Sequence, residues 1–259
     1  MTKQTSKILD NLLTDLQLYT GKSIEELRQH MEGCREENRN KWLSMDRVEF
    51  ISANEFYCND LNAAYQATAW LLRDKPICDI IRSIPESAAK YNWKTVFDYG
   101  AGVATPSLVL AELTDSSVAI TLGDFKVAAL DFARWKATRY NLRIDVQIFD
   151  IREETPPIES PVDCVLCIHM IGHSLNPFRT LAKIATMGKH AVWLDDFRIE
   201  EYEENDLYPM HQLKPDGWDE IWDTVFTSLG NNVQASTVYG LNAGILAERW
   251  IDWTGWRKD

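Results

Sequence analysis

Residues 95–111 read Thr-Val-Phe-Asp-Tyr-Gly-Ala-Gly-Val-Ala-Thr-Pro-Ser-Leu-Val-Leu-Ala, and few backbones accept that order. Three β-formers lead into Asp98, two glycines follow at Gly-x-Gly spacing, and an apolar run at helical spacing comes next. The pattern predicts strand, tight turn and helix. A buried parallel strand that enters a helix through glycines lets the backbone approach a ligand closely. It also turns the helix's N-terminal N–H groups and positive dipole end toward that ligand. Asp98, at the carboxyl end of the strand, adds a negative charge and acceptors facing the same crevice. A ligand there has to be cationic or rich in donors.

From this stretch onward, strand and helix patterns alternate as they do in a doubly wound α/β domain. Apolar runs at residues 118–122, 144–149, 162–168 and 191–194 predict the second to fifth strands. Helices are expected over 125–140 and 177–187, with Gly188 ending the latter, and a last helix over 218–229. Two late strands, 233–239 and 245–251, are joined by a loop running from Gly240 to Gly244 and suit an antiparallel hairpin.

Acidic residues close four of these strands: Asp98, Asp124, Asp150 and Asp195, with His169 closing the fourth in sequence. Ligands of open α/β sheets sit outside the carboxyl ends of the strands, where the strand order reverses. Asp124 lies 22 residues beyond Gly102, a spacing at which a carboxylate accepts from ribose hydroxyls. The dinucleotide fingerprint expects a third glycine where this chain has Thr105 followed by Pro106, which weakens a dinucleotide reading.

The Asp98-Tyr99-Gly100-Ala101-Gly102 run resembles the first motif of the class I S-adenosylmethionine (SAM) dependent methyltransferases. The resemblance implies that Asp98, Gly100 and Gly102 hold the amino acid end of SAM and that Asp124 holds the ribose. Asp150, followed by Ile151, would meet the adenine amino group, and Phe125 would lie against the same ring. The run from Asp163 to Pro177 looks like the family's fourth motif and the loop after it, which makes His169 a further cofactor contact. The likeness spans roughly residues 93–200 and implies a Rossmann-like, seven-stranded sheet whose last strand is reversed at the edge. Two positions depart from the family pattern. Ala104 and Thr105 stand where a small residue is usual, although a hydroxyl at a helix start can cap it or bond a carboxylate. The fourth strand ends Cys167-Ile168-His169-Met170 and not in an Asn-Pro-Pro type sequence, so nothing signals DNA or protein-amide methylation.

Charge narrows the acceptor. With 27 basic against 39 acidic residues the formal charge is -12, which repels nucleic acid and anionic membrane surfaces. No apolar run reaches the roughly 18 residues of a membrane helix, and residues 1–6 are polar, so a soluble, cytoplasmic protein is expected. Five scattered cysteines read as reduced thiols; Cys164 and Cys167, a Cys-x-x-Cys pair inside an apolar strand, read as core packing, and no metal site is expected.

Residues 1–90 read as a helical cap folded over the catalytic domain of residues 91–259. The cap opens with an amphipathic helix at 6–18. The capping box Ser23-Ile24-Glu25-Glu26 then starts a long charged helix. A helix over 60–72 and short helices at 78–83 and 85–90 complete it. Phe56 and Tyr57 either close over the ligand as a lid or fill the seam between cap and core.

The expected activity is methyl transfer from SAM to a small-molecule acceptor. His173 and His169 are the candidate bases, because imidazole titrates near neutrality at about 6.5, and Tyr57 is a candidate for orienting the acceptor. Two other uses of the same pocket stay open: transfer or cyclisation of SAM's aminocarboxypropyl arm with release of methylthioadenosine, and SAM binding without catalysis. Oligomeric state is not legible.

Overall fold

The computed structural model describes residues 3–44, 65, 75–149, 161–168, 170, 180, 183–184, 187–195, 232–234 and 249–252. Three helices come first: α1 (Lys3–Thr20), α2 (Ile24–Ser44) and α3 (Lys75–Lys90). Then β1 (Thr95–Tyr99), α4 (Thr105–Leu113), β2 (Ala119–Asp124), α5 (Ala128–Arg139), β3 (Ile144–Ile148) and β4 (Val162–Ile168) alternate. β5 (Gly188–Asp195), β6 (Asn232–Gln234) and β7 (Arg249–Asp252) follow.

The four strands β1 to β4 form a parallel sheet with β1 between β2 and β4 and with β3 outside β2. Asp98 pairs in register with Leu122 on one side and Leu166 on the other, and Asp124 pairs with Ile148. β5 continues this parallel array beyond β4. The paired residues of β7 run antiparallel to β5 and to β6, so the strand order is β3-β2-β1-β4-β5-β7-β6. The reversal between β1 and β4 places the carboxyl end of β1 at the crevice that this topology leaves open.

Two apolar clusters make three layers. Phe97, Tyr99, Leu108, Leu110, Leu122, Leu130, Val165 and Leu166 belong to the cluster between the sheet and the helices against it. On the far side of α4 and α5, Val109 and Phe132 meet Leu12 and Leu16 of α1, Leu27 and Met31 of α2, and Ile81 of α3. Spacings of three and four residues put each set on one helix face. Burial of each such leucine is worth about 1.5–3 kcal/mol.

A buried ion cluster crosses the same seam. Lys136 Nζ lies 3.0 Å from Asp15 Oδ2 and 3.2 Å from Glu112 Oε1. The Tyr140 hydroxyl donates to Asp15 Oδ1. The α2 capping box forms with both bonds, the Glu26 amide donating to Ser23 Oγ at 3.2 Å and the Ser23 amide to Glu26 Oε2 at 2.7 Å.

Some boundaries differ from the sequence reading. The two short helices expected at 78–83 and 85–90 are one helix, α3, with Pro85 inside it. Ile81, Ile84 and Ala88 lie buried along this helix, so packing outweighs the one amide bond that proline removes. The helix expected from residue 125 starts at Ala128. Phe125 is held in the preceding turn, where its amide donates to Asp124 Oδ1 and its carbonyl accepts from Val127. The described residues of the helix expected over 177–187 are helical up to Met187, and Gly188, its expected stop, at once opens β5 opposite Val162, three residues before the strand expected from Ala191. The expected helices at 60–72 and 218–229 lie outside the described residues, apart from Tyr65, which is helical.

Candidate functional site

The turn between β1 and α4 is built by backbone that only certain residues tolerate. Gly100 and Gly102 take φ of +71° and +51°, and Ala104 takes +52°. The Gly100 amide donates to the Gly123 carbonyl at 2.8 Å, pinning the turn to β2. A Cβ at Gly100 would collide with the Met170 side chain, whereas one at Gly102 would meet none of the described residues within 4 Å. The turn is therefore closed behind Gly100 and open over Gly102.

Ala104 is the N-cap of α4 and offers no side-chain acceptor to the helix's first amides. Pro106 has no amide to satisfy. Thr105, 3% exposed, has a hydroxyl with no hydrogen-bond partner among the described residues. An uncapped helix start beside an unsatisfied buried hydroxyl suits an anionic group.

Two carboxylates flank this turn. Asp98 is 3% exposed and Asp124 8% exposed. Asp98 Oδ2 accepts from the Ser107 hydroxyl at 2.6 Å. Asp124 Oδ2 accepts from the Gly102 amide at 2.7 Å, and its Oδ1 from the Phe125 amide at 2.7 Å. Burial pushes the Asp98 carboxyl up to about 7; the Ser107 bond pulls it down and the Asp124 charge raises it further. Burial raises Asp124 to about 6, against the two amide bonds that lower it. Among the described residues no lysine or arginine forms an ion pair with either group. Among the described residues the site holds two desolvated acids and no cation paired with them.

Beside them stands an aromatic row. Tyr99 and Phe149 stack with centroids 5.6 Å apart, and Phe149 meets Phe125 edge-to-face at 5.0 Å. The Phe149 amide donates to the Asp124 carbonyl, so the row is fixed to the end of β2.

Solved structures share this fold. The chain superposes on the plantazolicin methyltransferase BpumL in complex with S-adenosylhomocysteine (SAH) with a TM-score of 0.56 at 12% identity, over 86% of this chain and 99% of that one. An O-methyltransferase family protein from Burkholderia thailandensis gives 0.57 at 13% identity, over 87% and 70%. The fold is that of the class I SAM-dependent methyltransferases. The SAH-bound N-terminal domain of EvdMO1 fits this methyltransferase fold too, with a TM-score of 0.52 at 13% identity over 72% of this chain and 84% of that one. No family model matches the sequence, and no curated protein does.

On this methyltransferase fold, Asp98, Gly100, Gly102, Thr105, Asp124 and Phe125 lie around the turn between β1 and α4 and the end of β2. Asp150, Ile151, His169, His173 and Tyr57 lie outside the described residues. Asp163, in the fourth-motif run, sits at the amino end of β4, where its carboxylate accepts from the Lys94 and Thr95 amides at 2.7 and 2.9 Å. That is strand-end packing, remote from the crevice. Cys164 and Cys167 are fully buried in the core. Two residues of the site went unnoticed in the sequence. Ser107 was hidden because its partner is nine positions away, and Met170 because closeness to Gly100 is a property of the fold. Among the described residues no three of His, Cys, Asp and Glu gather as a metal site would require.

Proposed function

We propose that this chain is a SAM-dependent methyltransferase acting on a small-molecule acceptor. The observation that carries the reading is the pair of buried carboxylates, Asp98 and Asp124, which among the described residues pair with no cation and flank a glycine turn open over Gly102. Such a pair matches a ligand with an ammonium group and vicinal hydroxyls. The uncapped start of α4 and the Thr105 hydroxyl match the carboxylate of the same amino acid end. The SAH-bound state of BpumL and of EvdMO1, on the same fold, supports the choice of cofactor.

In this reading Asp98, Gly100, Gly102 and Thr105 hold the amino acid end. Asp124 takes the ribose hydroxyls, and Phe125, Asp150 and Ile151 surround the adenine, with His169 beside the cofactor. When bound, SAM supplies an electrophilic methyl group on a sulfonium. In-line displacement asks the protein mainly to align the acceptor and exclude water, with a base only where the acceptor must lose a proton. His173 is assigned as that base, and Tyr57 as a residue orienting the acceptor.

The architecture is read as the whole seven-stranded Rossmann-like sheet, residues 91–259, with residues 1–90 as a helical cap. The packing of α1, α2 and α3 on α4 and α5 supports that division. No helix among the described residues is long and apolar enough to cross a membrane, and the strongly acidic charge disfavours nucleic acid. Both agree with a cytoplasmic enzyme of small-molecule biosynthesis.

The test is product analysis. Purified protein given SAM and a fractionated extract of small molecules is expected to release SAH and a product that carries a methyl group where its acceptor carried a hydrogen, the hydrogen leaving as a proton. Release of methylthioadenosine instead of SAH contradicts methyl transfer.

A further inference from the structure

Asp98 sits in the middle of the sheet, with apolar register partners on both sides, Leu122 on β2 and Leu166 on β4. Asp124, from β2, is the charged group that acts on it. A buried carboxylate in such surroundings needs a donor to fix its orientation. The donor is Ser107, in the first turn of α4 and fully buried. A serine inside a helix ordinarily returns its hydroxyl to the carbonyl one turn back. Here the bond leaves the helix and crosses to β1, at 2.6 Å, the short length of a charge-assisted bond. It occupies Oδ2, while Oδ1 makes no hydrogen bond with a described residue. The hydroxyl and the free oxygen divide the carboxylate into a tethered half and a presenting half.

We propose that Ser107 is a positioning residue that turns Asp98 Oδ1 toward the ammonium group of the bound cofactor, an assignment that rests on the site reading above. Ser107 touches neither the cofactor nor the acceptor. It acts through Asp98 alone, so its effect is confined to ligands that carry the amino acid arm. Loss of the hydroxyl also leaves Asp98 easier to protonate, because a hydrogen bond that favours its charged form is gone.

The experiment is isothermal titration of SAH and of 5′-methylthioadenosine, which lacks the amino acid arm, into unaltered protein, Ser107→Ala and Ser107→Thr between pH 6 and 9. Ser107→Ala is expected to bind SAH at least about tenfold more weakly at pH 7, in keeping with a lost hydrogen bond to a charged group. Its methylthioadenosine affinity should match that of unaltered protein. The pH at which SAH affinity reaches its plateau should move upward in Ser107→Ala and return in Ser107→Thr, which keeps the hydroxyl. Equal weakening of both ligands in Ser107→Ala, with no change of pH profile, overturns the positioning role in favour of a structural one. Unchanged SAH affinity in Ser107→Ala, alongside normal binding by unaltered protein, overturns this inference alone. Failure of unaltered protein to bind SAH overturns the site reading and this inference together.

Discussion

The Gly102 amide donates to Asp124 Oδ2 across 2.7 Å, so the carboxylate that ends one strand clamps the turn that ends its neighbour. The other oxygen of Asp124 holds the Phe125 amide. One side chain thus sets the shape of the glycine turn and the place of the aromatic ring beside it, before any ligand arrives. Preorganisation of this kind lowers the ordering that binding must impose.

Asp124→Ala is therefore expected to do two things. SAH affinity should fall by about 100-fold, since two amides lose a charged acceptor and the ribose loses its own. Amide hydrogen exchange at Gly102 and Phe125 should quicken in the ligand-free protein while the strand interiors stay protected. Unchanged exchange at those two amides contradicts the clamp.

The two buried acids carry a pH signature. Their folded-state values, about 7 for Asp98 and about 6 for Asp124, lie above the ordinary carboxylate value of 3.8. A raised folded value means that the folded protein binds protons more tightly than the unfolded chain. Their contribution to stability is fully present below pH 4 and is lost as the pH rises through 6 and then 7. Each tenfold change in proton affinity is worth about 1.4 kcal/mol, so the loss for Asp98 amounts to a few kcal/mol. Asp98→Asn should stabilise the ligand-free protein at pH 8, flatten this part of the pH–stability curve, and weaken SAH binding. Urea unfolding at pH 5 and pH 8 checks it; a destabilised Asp98→Asn at pH 8 contradicts the account.

Lys136 is the cation shared by Asp15 of α1 and Glu112 of α4, with its side chain 3% exposed. Lys136→Met keeps the bulk but leaves two acids facing each other without compensation. A loss of about 3–5 kcal/mol in unfolding free energy is expected, the usual outcome of breaking a buried pair on one side. Lys136→Met combined with Asp15→Leu should recover part of that loss. A single variant as stable as unaltered protein contradicts the role of this cluster in seating α1.

Much of the site was legible because it depends on chemistry close in sequence. The Gly-x-Gly turn after Asp98, and Asp124 at the end of the next apolar run, announce themselves by residue type and spacing. The capping box at Ser23 and Glu26 is likewise a four-residue pattern, and it forms as written. What sequence could not give is contact made by the fold. Whether Pro85 ends a helix depends on how much apolar face lies on both sides of it, and Ile81, Ile84 and Ala88 supply enough. The start of α5 was misplaced because Asp124 captures the Phe125 amide and delays the helix. Ser107 looked like one more helix residue until the turn folded it back over Asp98.

The central claim is that Asp98 and Asp124 together hold the amino acid and ribose ends that SAM and SAH share, beside Gly102. Titration of SAH into the unaltered protein, with Asp98→Asn and Asp124→Ala as companions, measures this directly. The account predicts saturable one-to-one binding by the unaltered protein and strong weakening in each variant. No binding at millimolar SAH, or equal affinity in all three proteins, would contradict it.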